Sequence, residues 1–188
     1  MRIVGGRFRG GRLDAPRGMD VRPTTDRVRE SVFNMLQHGD LLARGLDGVR
    51  VLDLFAGTGA MGLEALSRGA RYALFVEEAV PARAAIRRNI EALGLTGASK
   101  VYRRDATRLG PRPGSAGAPF DLVFCDPPYG KDLGPRALAS ARDHDWLAPH
   151  AVAVLETGAR EEVPAIEGFT LADRRDYSDT TIWNLRLA

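Results

Sequence analysis

Beyond residue 48, short apolar runs alternate with stretches of helical periodicity, and a chain patterned in this way has few folds open to it. Residues 49–54 (VRVLDL) are a short buried strand by their β-branched and aliphatic content. Gly57 and Gly59 break that strand into a turn, and 60–67 reads as a helix closed by Gly69. Residues 72–76 are the next apolar run. Pro81 suits a first helical position, Ile86, Ile90 and Leu93 fall on one helical face, and Gly94 suits the stop. Residues 100–103 make a weak third strand, 120–125 (FDLVFC) a strong fourth and 151–155 (AVAVL) a fifth. Residues 169–174 and 180–187 alternate apolar with polar side chains, as antiparallel edge strands do. Strands alternating with helices build a parallel sheet covered on both faces. The expectation is an α/β, Rossmann-like fold: a mostly parallel seven-stranded sheet that ends in an antiparallel strand. The Gly/Pro-rich stretch 110–119 (GPRPGSAGAP) reads as a surface loop inside one domain.

The first 22 residues follow neither pattern. Residues 3–13 (IVGGRFRGGRL) read as a small hairpin with glycines at its bends. Pro23-Thr24-Thr25-Asp26 then announces a helix, with Thr24 or Thr25 as the cap, and Val28, Val32, Phe33, Met35 and Leu36 give that helix an apolar face. The division expected is a basic arm over 1–22 and one domain over 23–188. Charge follows the same division. The net charge of +3 hides eight arginines against three aspartates in residues 1–29, a balance of +5, so the remainder is slightly acidic. A basic arm on an acidic body points to a polyanionic partner.

Several classes are excluded. No run of about 18 apolar residues exists to span a membrane, and the N-terminus lacks the apolar core of a secretory signal. A single cysteine, Cys125, rules out an internal disulfide and a cysteine-based zinc site, and His38, His144 and His150 show no ligand spacing. A cytoplasmic, metal-free monomer is expected.

The first constellation is Asp53-Leu54-Phe55-Ala56-Gly57-Thr58-Gly59-Ala60-Met61-Gly62. Glycines at the carboxyl end of a first strand let the backbone pass close to a ligand, and the helix that follows favours polar groups at its start. The match to G-x-G-x-x-G is weak alone, and a tight strand-to-helix turn is its purely structural alternative. Asp53 tilts the reading, because a carboxylate there repels pyrophosphate and accepts hydrogen bonds from an ammonium-bearing ligand. Glu77 ends the second strand, where an acid grips ribose hydroxyls. Asp105, with Ala106, follows the third and offers an acceptor to an adenine amine. One acid after each of three successive strands says more than any of them singly.

The second constellation, Asp126-Pro127-Pro128-Tyr129, directly follows the fourth strand. Consecutive prolines hold the backbone extended and leave its carbonyls unpaired in the sheet. A carbonyl and the Asp126 carboxylate are two acceptors for one –NH2 group, whose delocalised lone pair makes it a poor nucleophile until it is held towards sp³ geometry. Tyr129 gives a flat face for stacking a base drawn out of its surroundings. A Pro-Pro turn with a capping aspartate is the bland alternative.

The two motifs together resemble the S-adenosylmethionine-dependent amino-methyltransferases. Arg22-Pro23-Thr24-Thr25-Asp26-Arg27-Val28-Arg29-Glu30, with Phe33-Asn34 and Gly62-Leu63-Glu64-Ala65-Leu66-Ser67-Arg68-Gly69, narrows this to a resemblance to the RsmD family of bacterial 16S ribosomal RNA guanine-N2 methyltransferases. The resemblance runs over nearly the whole chain and implies a class I methyltransferase fold, with S-adenosylmethionine as methyl donor and S-adenosylhomocysteine as product. It also implies a guanine of 16S RNA, in the small subunit or its assembly intermediate, as substrate. On that footing Asp53, Phe55, Gly57 and Gly59 shape the methionine end of the cofactor pocket, Glu77 takes the ribose, and Asp105 and Ala106 the adenine. Thr24 and Asp26 close over the cofactor. Asp126, Pro127, Pro128 and Tyr129 hold the base amine, and catalysis is mostly positioning. Arg7, Arg9, Arg12 and Arg22 meet RNA phosphates. Cys125 is expected to be a core thiol, since neighbours on a strand point to opposite faces.

Other readings stay open on the residues alone. An N6-adenine methyltransferase shares the Asp-Pro-Pro-Tyr chemistry, but the chain has little room for a DNA-reading domain. A protein-glutamine methyltransferase usually has Asn where this chain has Asp126. A non-catalytic RNA-binding module on the same fold conflicts with the intact acids and glycines. An NAD dehydrogenase gives Asp-Pro-Pro-Tyr no task.

Overall fold

The computed structural model describes residues 1–16 and 25–188. Arg22, Thr24 and the expected domain boundary after residue 22 lie outside the described residues. Of the two candidate caps, Thr25 is seen in that role: its hydroxyl accepts the Val28 amide at 3.3 Å and opens α1 (Asp26–His38).

The strands are β1 (Ala43–Leu46), β2 (Arg50–Leu54), β3 (Tyr72–Val76), β4 (Ser99–Tyr102), β5 (Phe120–Cys125), β6 (Leu147–Gly158), β7 (Phe169–Asp176) and β8 (Thr180–Leu187). The helices after α1 are α2 (Ala60–Ser67), α3 (Val80–Ala92) and α4 (Leu133–Asp143). All seven strands expected from sequence join one sheet in the order β4-β3-β2-β5-β6-β8-β7. The strands from β4 to β6 are parallel, while β8 runs antiparallel to both β6 and β7. The order reverses between β2 and β5, and the crevice at the carboxyl ends of strands flanking such a reversal is where ligands bind in sheets of this type.

Period-two alternation assigns each strand residue to a face. Val51, Phe75, Phe124 and Val154 pack with Phe33 and Leu36 of α1, Leu63 and Leu66 of α2, and Ile86 and Ile90 of α3. Leu52, Leu54, Val123, Cys125 and Leu155 face Ala137, Leu138 and Ala141 of α4. Cys125 is thus a buried core thiol, as strand alternation required.

The structure adds to the sequence reading in three places. β6 extends well past residues 151–155, because its far end pairs with β8 as far as Gly158 opposite Thr180. The helix α4 and the short strand β1 were not anticipated. The 110–119 loop is pinned rather than loose: the Arg50 guanidinium donates to the carbonyls of Ala116 (2.6 Å) and Ala118 (3.2 Å), and the Lys100 ammonium to that of Ser115 (3.1 Å).

The N-terminal segment is a hairpin. Arg2 pairs with Arg12 as an antiparallel bridge, Ile3 N–H donates to Gly11 C=O and Gly10 N–H to Ile3 C=O, both at 2.9 Å. Its apolar residues Ile3 and Leu13 are buried in the same core as α1, α2 and α3. At Gly6, with φ +76°, a Cβ would lie 2.0 Å from the Ser67 carbonyl oxygen, so only glycine lets the hairpin seat on α2.

Candidate active site

β2 delivers Asp53 to the end of the sheet and then turns sharply. Phe55 adopts φ +56°, an unusual conformation for a side chain of that bulk, and Gly57 follows at φ +56°. The glycines of the G-x-G-x-x-G match do different work. A Cβ at Gly62 would lie 2.4 Å from Phe75 Cε1, and one at Gly59 3.2 Å from the same atom, so both serve helix-to-sheet packing. A Cβ at Gly57 would meet nothing closer than 4.0 Å, so Gly57 borders open space. Asp53 is buried, and its Oδ2 accepts the Gly62 amide at 3.0 Å, tying β2 to the first turn of α2. Burial pushes the Asp53 carboxyl up to about 8; the Gly62 hydrogen bond opposes the shift and the neighbouring Glu77 charge adds to it.

Glu77, the residue after β3, is held by main-chain donors. Gly57 N–H reaches its Oε2 at 2.9 Å and Ala79 N–H its Oε1 at 2.8 Å, so the glycine turn and the start of α3 orient one carboxylate. The buried Arg83 guanidinium donates to the carbonyls of Glu77 and Glu78 and fixes the same loop. Asp105 lies beyond β4 and caps a 3₁₀ turn, Ala106–Arg108, by accepting the Thr107 amide (2.8 Å) and hydroxyl (2.7 Å). The Thr107 hydroxyl is the main reason its carboxyl lies below the usual range. Ala106 is buried beneath it.

β5 carries Asp126 to the other side of the crevice. Cys125 is level with Leu54 on one flank and Leu155 on the other. Pro127 is buried, whereas Pro128 and Tyr129 are exposed. Desolvation pushes the Asp126 carboxyl well above the usual carboxylate range, and the charges of Glu156 and Asp53 push the same way. The Tyr129 hydroxyl donates to Glu156 Oε1 at 2.9 Å and lies 3.2 Å from Thr180 Oγ1.

Asp53, Glu77, Asp126 and Glu156 therefore gather at the carboxyl ends of β2, β3, β5 and β6. Among the described residues, Asp53, Glu77 and Asp126 form no ion pair with another described side chain. Such a crevice attracts a cationic ligand with donor groups and disfavours a phosphate.

The chain matches a family model described as "Conserved hypothetical protein 95" over residues 1–186. It is 35% identical to a putative ribosomal RNA methyltransferase, YlbH, of Bacillus subtilis, over 94% of this chain and 92% of that protein. It is also 35% identical to the ribosomal RNA small subunit methyltransferase D of Escherichia coli, over 88% of this chain and 79% of the relative. The chain belongs to the RsmD family. Among solved structures, a putative methyltransferase from Escherichia coli superimposes with a TM-score of 0.83 at 31% identity, covering 100% of this chain and 97% of the other. The methyltransferase fold expected from the motifs is thus the one observed.

In this RsmD-family chain the remaining expected residues fall elsewhere. Asp26, expected over the cofactor, is turned to the hairpin side: it pairs with Arg29 at 2.9 Å and with Arg2 at 3.7 Å. The first turn of α1 carries its acid where it meets those two arginines, and no bond joins it to the glycine turn among the described residues. Arg7, Arg9 and Arg12 are exposed on the hairpin, and Arg7 lies over the Phe8 ring at 4.5 Å.

Sequence reasoning passed over Glu156, Thr180, Glu161 and Arg83. Glu156 had a legible signal, since it follows AVAVL as Glu77 follows ALFV. Thr180 and Glu161 had none, because only the β6–β8 pairing and the turn after β6 bring them to the loop after β5.

Proposed function

We propose that the protein transfers a methyl group from S-adenosylmethionine to the exocyclic N2 amine of a guanine in 16S ribosomal RNA, within the small subunit or its assembly intermediate, and that it does so as a monomer. The observation that carries the reading is the convergence of Asp126 with the Asp53 and Glu77 side of the crevice. The residues fit the cofactor: Gly57 leaves open space where any side chain would intrude, and the acid-rich crevice suits a ligand bearing a sulfonium and an ammonium. Bound S-adenosylmethionine supplies an electrophilic methyl group on a cationic sulfur.

The chain's own groups do the rest. Glu77, fixed by two amides, accepts from ribose hydroxyls, and Asp105 accepts from the adenine amine. Asp126 and the Pro127 carbonyl accept the two protons of the base amine, which turns its nitrogen lone pair towards the methyl group while Tyr129 stacks on the base. Asp126, ionised when the cationic cofactor is bound, takes the proton that the amine sheds on methylation. No nucleophilic cysteine is needed, since Cys125 faces the opposite core.

The test is labelled methyl transfer to small subunits and to naked 16S RNA from a strain lacking the enzyme, followed by nucleoside mass spectrometry. N2-methylguanosine is the expected product; N6-methyladenosine, or no product, overturns the reading.

A further inference from the structure

We propose that Glu156 is a positioning residue for Tyr129: its carboxylate, at the end of β6, sets the plane on which the substrate base stacks. This rests on the reading of Tyr129 as the stacking surface. Tyr129 stands in a loop between Pro128 and Gly130 and is 37% exposed, so packing alone does not fix its ring orientation. What defines it is the far end of the ring. The hydroxyl donates to Glu156 Oε1 at 2.9 Å, and burial together with the negative charges of Glu156 and Asp126 keeps the phenol protonated and therefore a donor.

The acceptor is itself fixed. Thr180, at the start of β8, sits 2.9 Å from the same Glu156 oxygen and 2.7 Å from the Thr157 carbonyl, so the paired ends of β6 and β8 hold Glu156 in place. The ring edge passes over Gly158, where a Cβ would lie 3.3 Å from Tyr129 Cδ2. The loop backbone is held from the same strand end: Gly130 N–H donates to Glu161 Oε1 at 3.2 Å, and Gly158 N–H to Glu161 Oε2 at 3.3 Å. Continuing the register Phe124–Val154 and Cys125–Leu155 sets Asp126 beside Glu156 on one face of the sheet. The group that holds the amine and the group that orients the ring therefore share one rigid edge.

The experiment is steady-state methylation of small subunits from a strain lacking the enzyme. It compares wild type, Glu156→Ala, Glu156→Gln, Tyr129→Phe and the Glu156→Ala/Tyr129→Phe double variant, with S-adenosylhomocysteine affinity measured by calorimetry. Losing a charge-assisted hydrogen bond that sets base orientation is expected to lower kcat about 10- to 100-fold in Glu156→Ala and in Tyr129→Phe. KM for the subunit should stay within about threefold, because phosphate contacts elsewhere set it. The double variant should be no worse than the poorer single one. Glu156→Gln, which keeps an acceptor, should recover most of the rate, and S-adenosylhomocysteine affinity should not move. Tyr129→Phe keeps the ring and its packing, so it tests the idea even if Glu156→Ala fails to fold. Wild-type kcat in Tyr129→Phe, or losses that multiply in the double variant, overturns the assignment. A wild-type enzyme that forms no N2-methylguanosine overturns the functional reading instead.

Discussion

Arg29 of α1 and Glu64 of α2, both almost wholly buried, face one another at 3.7 Å beneath the N-terminal hairpin. Glu64 also accepts the amides of Val4 and Gly5 and the Arg68 Nε, each at 2.8 Å, while Arg29 donates to the Arg2 carbonyl and to Asp26. One buried carboxylate thus satisfies two hairpin amides and the Arg68 guanidinium, and faces the Arg29 charge across 3.7 Å, where Arg29 Nε has no hydrogen-bond partner among the described residues.

Removing that carboxylate leaves the buried Arg29 with only the half-exposed Asp26 to offset its charge, and two main-chain donors without their acceptor. Glu64→Ala is expected to lower the unfolding free energy by about 3–5 kcal/mol, with Glu64→Gln costing less because it keeps an acceptor for the amides. Urea unfolding measures this. Hydrogen exchange should show the Val4 and Gly5 amides losing protection in Glu64→Ala. A variant within about 0.5 kcal/mol of wild type, the range of ordinary surface changes, contradicts the account.

The centre of the sheet was legible in the sequence because β2, β3, β5 and the middle of β6 are compact apolar runs that burial enforces, whereas the edge strands β4 and β7 are mostly partly buried or exposed and carry weaker patterns. Helix α4 was not legible, since four of its five buried residues are small (Gly134, Ala137, Ser140 and Ala141, with Leu138 the exception), and small side chains give little periodic contrast. Strand β1 (ARGL) has no apolar alternation at all. At the site, acids that end strands could be read directly, whereas cross-chain bonds could not. Asn89 is an instance: from within α3 its amide donates to the carbonyls of Asp14 and Thr58, each at 3.1 Å, and its Oδ1 accepts the Asp14 amide at 2.7 Å. It ties the arm to the glycine turn through partners 75 and 31 positions away, a relation that only the fold creates.

The buried Asp53 carboxyl makes stability and cofactor binding depend on pH. Its proton affinity rises from 3.8 to about 8 on folding, so across that interval the folded protein holds a proton that the unfolded chain has released. Stability of the ligand-free protein should therefore fall as pH rises through this window, by up to about 1.4 kcal/mol per pH unit from this group. Asp53→Asn should flatten the slope. A cationic ligand in the crevice favours the ionised form, so S-adenosylmethionine binding at pH 6.5 should release protons, seen by calorimetry in buffers of different ionisation enthalpy. Equal release by wild type and Asp53→Asn would remove Asp53 from the account.

Cys125 and Asp126 are adjacent in sequence but serve opposite sides of the sheet. Asp126→Ala should abolish methyl transfer, by at least about 100-fold given the loss of an oriented acceptor and proton acceptor, while S-adenosylhomocysteine affinity stays nearly unchanged. Cys125→Ser should keep wild-type turnover and show only a stability loss, since it places a hydroxyl in an apolar core. Turnover by the Asp126 variant, or a dead but folded Cys125 variant, reverses the two roles.

RNA binding through the hairpin is best tested by charge and not by deletion. Removing residues 1–13 takes Ile3 and Leu13 from the core and leaves Glu64 without two of its donors, so lost RNA binding would then report a damaged fold. Arg7, Arg9 and Arg12 are exposed, and among the described residues none of them forms an ion pair, so replacing all three with Ala should leave stability within about 1 kcal/mol of wild type. Each phosphate contact on unpaired RNA contributes about 0.7 to the slope of log affinity against log salt, so losing three should flatten that slope by about 2. Binding of the triple variant to small subunits or 16S RNA, titrated at several salt concentrations, gives both the affinity and the slope. An unchanged slope with intact folding places the RNA-gripping surface elsewhere on the protein.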